Sequence, residues 1–291
     1  MQSVGIASDQ LGSRRDAADV GPILFFDIDG TLVWRDLEAG KRGEEIPAFE
    51  DVAPSPAVAR ALEELHERGH RFFYSTGRAR CMIPQPLLDL QPDGLVAASG
   101  ATVTVGDELL RDVYIPFDVL TETMRLLESA RIDAEFECDD ACIEFYPSGR
   151  PGRLPGAPVL RTADEFLERV GGHAISKFCL HEPDRRALEP IKPELERCFT
   201  ISDLQFGTLE LSMHGISKQT GIELVLERLG RGRERTFAFG DSENDLFMAP
   251  AVETFVAMGN ALPQVREQAS HVAPPVWEDG VVTALKQFNL V

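Results

Sequence analysis

The sequence is short of positive charge, and it has no long apolar run. Its 291 residues carry 29 basic and 48 acidic side chains, which gives a formal net charge of -19. A chain with this excess of negative charge repels polyanions, so we expect no nucleic-acid partner. No apolar run approaches the roughly 18 residues that cross a bilayer, so we expect no membrane partner either.

Cysteine is also scarce, and its spacing excludes the common Cys-based sites. The five cysteines form no C-x-x-C pair and are Cys81, Cys138, Cys142, Cys179 and Cys198. Free thiols in a reducing cytoplasm are therefore expected, and a zinc site is not. Residues 1–21 lack the apolar centre of a signal peptide and are interpreted as a flexible polar leader. Together these features predict a cytoplasmic protein.

What the chain does have is a repeated pattern of a short apolar run followed by a small polar turn. The runs lie at residues 23–26, 71–75, 236–239 and 254–258. Such runs suit strands that are buried on both faces of a parallel sheet. A helix expected over residues 55–69 joins the first two runs into a βαβ unit. The polar turns would then meet at the carboxyl edge of the sheet, where open α/β folds bind ligands.

Residues 112–206 depart from this pattern. They mix helical segments with short strands, and Pro190 and Pro193 predict a break within one helical segment. The expected fold class is therefore α/β, with a Rossmann-like parallel-sheet core formed by residues 22–111 and 207–291. The segment 112–206 is interpreted as an inserted α+β domain.

Acidic side chains follow the first and third of these runs. Asp27 and Asp29 are two residues apart, so on an extended chain their carboxylates project to the same side and are able to share one substrate. Acids with glycine are also ordinary turn formers, which is the alternative interpretation. Asp241 and Asp245 lie where a strand meets a helix, and capping by Ser242 would explain part of that cluster. Clustered carboxylates otherwise indicate a hard cation such as magnesium.

Two further residues suit an anion. Thr76 ends the second run, where its hydroxyl and backbone N–H are available to a phosphate oxygen. Lys218 follows Ser217, a plausible N-cap, and so would lie near a helix N-terminus, where anions are favoured. Taken alone, each is explained as an ordinary turn threonine or a solvated lysine. The ordered set of these residues with the two aspartate pairs is much more specific than any one member.

In this order the motifs resemble those of the haloacid dehalogenase-like (HAD) hydrolase superfamily, and within it the Cof-type phosphatases with a type IIB cap. The matching segments are DIDGT (27–31), STGR (75–78), SKQTGIELVLERLG (217–230), GDSENDLFM (240–248), AMGNA (257–261) and EDGV (278–281). The resemblance covers nearly everything from about residue 22 onward. It implies the HAD fold, with the cap inserted between Thr76 and Lys218. Two features depart from the usual pattern: Ser99 stands where many relatives have asparagine, and the loop 33–53 is longer than usual. Both differences bear on substrate choice.

The resemblance also implies a function. The chain would be a magnesium-dependent phosphatase of a small phosphorylated metabolite, with sugar phosphates as the leading class. Asp27 would be the nucleophile that forms an aspartyl-phosphate, Asp29 the general acid and base, and Lys218 the cation that neutralises the phosphoryl group. The residues expected to bind phosphate are Thr76, Gly77, Lys218 and Asn244. The expected Mg²⁺ ligands are Asp27, Asp29 through its backbone carbonyl, and Asp241, with Asp245 orienting Lys218 or the metal shell.

Two alternatives share this scaffold. A phosphomutase would return the phosphoryl group from the aspartate to a sugar, and a non-catalytic protein would only bind the phosphorylated metabolite. Retention of both Asp29 and Lys218 disfavours the second. Cap segments near Glu137, residues 142–146 and Lys177 are expected to select the leaving group, and Lys177, which lies on an alternating strand, fits a structural role equally well. A monomer is the expected state.

Overall fold

The computed structural model of the protein describes residues 21–36, 42–43, 52–138, 140–154, 156–170, 174–204 and 207–291. The expected leader, apart from residue 21, and much of the loop 33–53 lie outside these ranges. None of the helices in the described ranges combines the length and the apolar character that crossing a membrane requires.

The described residues form two sheets with helices packed on them. The strands are β1 (Ile23–Phe26), β2 (Arg71–Ser75), β3 (Gly94–Ala97), β4 (Thr102–Val105), β5 (Glu108–Asp112), β6 (Ala134–Cys138), β7 (Cys142–Phe145), β8 (Val159–Leu160), β9 (Ile175–His181), β10 (Phe199–Asp203), β11 (Thr208–Met213), β12 (Thr236–Gly240), β13 (Thr254–Ala257) and β14 (His271–Val272). The α-helices are α1 (Pro56–Glu67), α2 (Gln85–Leu88), α3 (Phe117–Ala130), α4 (Ala163–Val170), α5 (Arg185–Leu188), α6 (Lys192–Leu195), α7 (Lys218–Arg228), α8 (Pro263–Gln268) and α9 (Gly280–Gln287).

The core sheet has eight strands in the order β14-β13-β12-β1-β2-β3-β4-β5. Its first six strands pair in parallel, as predicted for the centre of the sheet. The last two, β4 and β5, extend it as antiparallel strands, which the sequence analysis did not foresee. Because β1 lies between β12 and β2, the turns after these three strands are neighbours at one edge.

Strand β1 shows why its sequence is a continuous apolar run. Leu24 and Phe26 pack in the cluster that includes α1 and α9, whereas Ile23 and Phe25 pack against α7 on the opposite face. All four side chains are fully buried. Alternate residues of a strand point to opposite faces, so a strand covered on both sides needs apolar residues throughout. Burial of each phenylalanine stabilises the fold by about 1.5–3 kcal/mol.

The cap sheet has six strands in the order β10-β11-β9-β6-β7-β8. Apolar and polar residues alternate along its central strands. On the apolar face, Phe136 of β6 and Phe178 of β9 stack with ring centroids 4.8 Å apart, in a cluster with residues of α3 and α4. Charged side chains take the intervening positions. The predicted break is confirmed, since Pro190 separates α5 from α6.

The predicted boundary between the cap and the returning core, after residue 206, is too early. Strand β11 pairs with both β9 and β10, and Leu211 packs in the apolar cluster of the cap. The cap sheet therefore extends to Met213. Its sequence, TLELSM, alternates apolar and polar residues as the other cap strands do, and it differs in this from the continuous apolar runs of the core strands.

Candidate active site

The carboxyl edge of the core sheet brings Asp27 and Asp241 together. Asp27 directly follows β1, and its backbone N–H bonds to Phe239 O of β12 at 2.9 Å. Asp241 directly follows β12. Between them lies Gly30, whose φ of +79° and whose approach to Asp241 both exclude a side chain, since a Cβ there would lie 2.2 Å from Asp241 Oδ2.

Lys218, the first residue of α7, lies buried between two carboxylates. Its Nζ donates to Asp27 Oδ1 at 2.7 Å and to Asp245 Oδ1 at 2.6 Å. Burial alone would lower the pKa of Lys218, but Asp245 and Asp27 raise it above its ordinary value. The lysine is therefore a fixed cation, and these two ion pairs offset the cost of desolvating it.

Asp245 performs two tasks at once. While Oδ1 binds Lys218, Oδ2 accepts the backbone N–H groups of Asp241 at 2.8 Å and Ser242 at 2.9 Å. Ser242 and Asp245 form a capping box at the start of the 3₁₀ helix Glu243–Ala251. Capping, the alternative interpretation of this acidic segment, is thus correct for Ser242 and Asp245. The same cap fixes the carboxylate that holds Lys218.

The donor atoms of this cluster fit a hard divalent cation. Asp27, Asp241 and Asp245 each offer a buried carboxylate oxygen, and the three oxygens lie within 4.8 Å of one another. Burial raises the pKa of Asp27 to about 8 in spite of Lys218, and burial together with Asp245 and Asp27 raises the pKa of Asp241 well above its ordinary value. Buried carboxylates crowded in this way gain from a cation, and a set made only of oxygen favours Mg²⁺.

Asp29 stands apart from this cluster. Its carboxylate is bound by Arg78 through two bonds of 2.7 Å, from Nε and Nη2, while Arg78 Nη1 also donates to Met82 O at 2.9 Å. Partial desolvation of the carboxylate acts to raise the pKa of Asp29, but Arg78 outweighs it and the net shift is downward. Arg78 belongs to the STGR motif, yet the sequence analysis gave it no role.

The residues predicted to bind phosphate flank the cluster. Thr76 follows β2 and is buried, and its Oγ1 accepts the N–H of Arg78 at 3.1 Å. A Cβ at Gly77 would lie 3.5 Å from Asn244 Nδ2, so these two residues are neighbours. Lys218 and Asn244 line one small cavity between core and cap. Three of the four predicted residues are thus connected: Gly77 adjoins Asn244, and Asn244 shares a cavity with Lys218, which also binds Asp27.

Asn260 contacts the site through Asp241, although the sequence analysis gave it no role. Its Nδ2 donates to Gly30 O at 2.8 Å and to Asp241 Oδ2 at 3.2 Å, and its Oδ1 accepts from Val276 N at 2.9 Å. It thereby ties the turn after β13 to the turn after β1. Its signal was present in the AMGNA segment, the polar turn that ends the fourth apolar run.

The comparisons with known proteins agree with this arrangement. A model of the haloacid dehalogenase-like hydrolase family matches residues 24–285. The chain belongs to this family. It is 36% identical over 281 residues to 5-amino-6-(5-phospho-D-ribitylamino)uracil phosphatase YitU of Bacillus subtilis, covering 91% of this chain and 97% of that one.

Solved structures show the same fold for this HAD hydrolase. The HAD subclass IIB sugar phosphatase BT4131 matches with a TM-score of 0.74 at 24% identity, covering 93% of this chain and all (100%) of that one. BT1666 of Bacteroides thetaiotaomicron, a HAD phosphatase, matches with a TM-score of 0.75 at 24% identity over 97% of this chain and 100% of its own. The predicted family, fold class and enzyme class are confirmed: the protein is a Cof-type HAD phosphatase, a phosphoric monoester hydrolase.

Proposed function

We propose that this HAD phosphatase hydrolyses a small phosphorylated metabolite, most suitably a sugar phosphate, through an aspartyl-phosphate formed on Asp27. The observation that carries the proposal is the position of the Asp27 carboxylate. It ends β1, it is held by Lys218 at 2.7 Å, and it shares a carboxylate cluster that suits Mg²⁺. The Asp27 carboxylate, the proposed nucleophile, is therefore in contact with the Lys218 ammonium and also belongs to the proposed metal site.

In the first step an oxygen of Asp27 attacks phosphorus and the bond to the ester oxygen breaks. Oδ1 is bound by Lys218, so Oδ2 is the oxygen available for attack. A proton from Asp29 completes the leaving alcohol. In the second step water attacks the same phosphorus, Asp29 takes up its proton, and the Asp27 carboxylate and inorganic phosphate are released.

Asp29 needs a change of partner to serve as the acid. Arg78 lowers the pKa of Asp29, so the resting carboxylate is an anion that is suited to the base role. Its side chain is 52% exposed, whereas that of Arg78 is 4% exposed. We infer that Asp29 leaves Arg78, that its pKa rises once it is free of the guanidinium, and that it takes up a proton from solvent and passes this proton to the ester oxygen. Arg78 stays in place.

The phosphoryl group would be held by Thr76, Gly77, Lys218 and Asn244. Lys218 supplies the positive charge, and its two carboxylate partners hold it in position before the substrate binds. Mg²⁺ would be held by Asp27, the backbone carbonyl of Asp29 and Asp241, with Asp245 supporting them. When bound, it reduces the repulsion between the anionic nucleophile and the anionic ester.

The cavity beside Lys218 has room for little more than a water molecule, so only the polarity of its lining bears on the leaving group. Its lining combines one carboxylate with several hydroxyl groups from core and cap, namely those of Ser99, Thr200, Ser202, Ser212 and Ser217. Hydroxyl groups both donate and accept, so they suit the hydroxyls of a sugar or a sugar alcohol. YitU is named for a phosphoribityl compound and BT4131 for sugar phosphates, which points the same way.

The test is phosphate release from a panel of phosphorylated metabolites, with Mg²⁺ and with a chelator. Asp27→Asn, whose amide is a poor nucleophile and a poor metal ligand, is expected to lose turnover by at least about 10⁴-fold while remaining folded. Asp107→Asn, an equal change at an exposed turn, serves as the control. Full turnover by Asp27→Asn, with deamidation excluded by mass, would rule out the nucleophile. Interconversion of sugar isomers without phosphate release would identify a mutase.

A further inference from the structure

The cap carries a buried charged cluster on the sheet face opposite its apolar core. Glu137 of β6, Lys177 of β9 and Glu210 of β11 lie on adjacent strands and are 6%, 2% and 2% exposed. Lys177 Nζ lies 2.6 Å from Glu137 Oε1 and 3.2 Å from Glu210 Oε2. Two carboxylates share one ammonium, so the cluster keeps a net negative charge.

Both carboxylates of this cluster accept hydrogen bonds from residues of the core. Glu137 Oε2 accepts the backbone N–H of Ala79 at 3.0 Å. Glu210 Oε1 accepts from Ser99 Oγ at 2.6 Å and from Asn244 Nδ2 at 3.3 Å. Ser99, the residue that stands where many relatives have asparagine, is thus engaged by the cap.

Glu210 reaches the space where the proposed function places the phosphoryl group. A Cβ at Gly77 would lie only 2.7 Å from Glu210 Oε2. The carboxylate therefore lies against Gly77 and Asn244, two of the four residues assigned to phosphate. This step rests on the proposed function, because only that assignment makes the space a phosphate site.

The second oxygen of Glu210 is poorly satisfied. Oε2 is buried and accepts no hydrogen bond, although Lys177 lies 3.2 Å away. Lys177 and the hydroxyl of Ser99 nevertheless outweigh burial and lower the pKa of Glu210, so it is an anion. A buried carboxylate with hydrogen bonds at one oxygen and only an ion pair at the other is held less firmly than one with hydrogen bonds at both.

We propose that Glu210 is an internal competitor for the phosphate site: it occupies the donors of Ser99 and Asn244 when the site is empty, and the substrate's phosphoryl group displaces it. A carboxylate and a phosphate present the same kind of anionic acceptor oxygens to these donors. Two anions confined to one buried space repel each other strongly, so they exclude one another. Glu210 would thereby weaken the binding of substrate and of product phosphate alike.

The experiment is to measure the affinity of the Mg²⁺-loaded protein for inorganic phosphate by calorimetry. Glu210→Gln keeps the shape and an acceptor oxygen but removes the charge, so its phosphate affinity is expected to rise by at least about fivefold. KM for phosphate esters should fall by a similar factor while kcat changes less than about twofold, since binding of ground state and transition state shift together.

The matched control is Glu243→Gln. Glu243 also bridges cap and core, because its Oε2 accepts from Asp203 N at 2.6 Å, but the structure gives it no contact with Gly77 or Ser99. Its phosphate affinity is expected to equal that of the wild type. Glu210→Ala removes charge and acceptor together and is expected to tighten phosphate binding too, whereas a purely structural Glu210 would make that variant bind more weakly.

The proposal would be overturned if Glu210→Gln bound phosphate no more tightly than the wild type. It would also be overturned if neither the wild type nor any variant bound phosphate. Thermal unfolding of each variant shows whether it is folded at the temperature of the measurement. The proposed mechanism is tested by a different measurement, the turnover of Asp27→Asn. If that variant kept its turnover, the phosphate affinities of the Glu210 variants would still test the role of Glu210.

Discussion

Two buried lysines of this HAD phosphatase have the same surroundings in different domains. Lys218 in the core lies 2.7 Å from Asp27 and 2.6 Å from Asp245, and its side chain is fully buried. Lys177 in the cap lies 2.6 Å from Glu137 and 3.2 Å from Glu210, and its side chain is 2% exposed. Each ammonium balances part of the charge of two carboxylates.

The elements that carry the carboxylates differ. The partners of Lys218 lie beyond the carboxyl ends of parallel strands, where the backbone turns away and leaves room for a ligand. The partners of Lys177 lie within adjacent strands of one sheet, whose side chains are fixed by the strand register. The core lysine therefore belongs to a site that can accept a substrate, and the cap lysine to a surface that closes over it.

The sharpest way to break the comparison is to replace each lysine by methionine. Either change leaves buried carboxylates without their cation, so we expect each variant to lose about 3–5 kcal/mol of unfolding free energy. Activity should separate the two. Lys218→Met is expected to lose at least about 10³-fold in kcat/KM for an aryl phosphate, because it removes charge at the phosphoryl group. Lys177→Met is expected to lose less than about tenfold.

Denaturant unfolding and steady-state kinetics on the same preparations measure both quantities. Similar losses of activity in the two variants would show that cap closure depends on Lys177 as strongly as catalysis depends on Lys218. The division of roles drawn from their positions would then be wrong.

The two lysines also mark how far the sequence alone could go. Asp27, Thr76 and Asp241 were predicted from strand ends that must meet at one edge of a parallel sheet, before any contact was known. Lys218 was predicted from its place at a helix N-terminus and in the ordered set of motifs. The turn after β13 followed the same rule, yet Asn260 was missed because a turn asparagine has many ordinary roles.

In the cap, alternation predicted which residues share a face but not what that face covers. Lys177 was left between a structural and a selective role, and Glu210 was not singled out. Its contacts with Ser99 and Asn244 join parts of the chain more than thirty residues apart in sequence. No strand-end rule connects them, because they depend on how the cap sits on the core.

The pair of Asp29 and Arg78 supplies the next largest test. Asp29→Asn removes the proposed acid but leaves Lys218 and its partners in place. We expect kcat to fall by about 10²-fold or more for alkyl phosphates, whose leaving oxygen needs a proton, and much less for aryl phosphates. Equal losses for both classes would count against the acid role and would indicate that Asp29 serves only to hold Arg78. A series of esters with graded leaving-group pKa values measures the difference.

The smallest expected effect is the pH dependence of Mg²⁺ binding, which follows from the different pKa shifts of Asp27 and Glu210. Burial raises the pKa of Asp27 to about 8, whereas Lys177 and Ser99 outweigh burial and lower the pKa of Glu210. Because Mg²⁺ binds only the ionised carboxylate, the proton on Asp27 competes with the metal below pH 8. The Asp27 proton alone makes Mg²⁺ affinity rise by about tenfold per pH unit towards pH 8, and Asp241, whose pKa burial also raises, adds to that rise.

Calorimetric Mg²⁺ titrations between pH 6 and about 9 measure this dependence. Glu210→Gln is expected to follow the same curve as the wild type, since a carboxylate with a lowered pKa stays ionised over this range. Asp27→Asn should lose the part of the slope that Asp27 contributes, along with affinity. A flat curve in the wild type would mean that Asp27 is ionised throughout this pH range. Lys218 would then keep Asp27 ionised, just as Lys177 keeps Glu210 ionised.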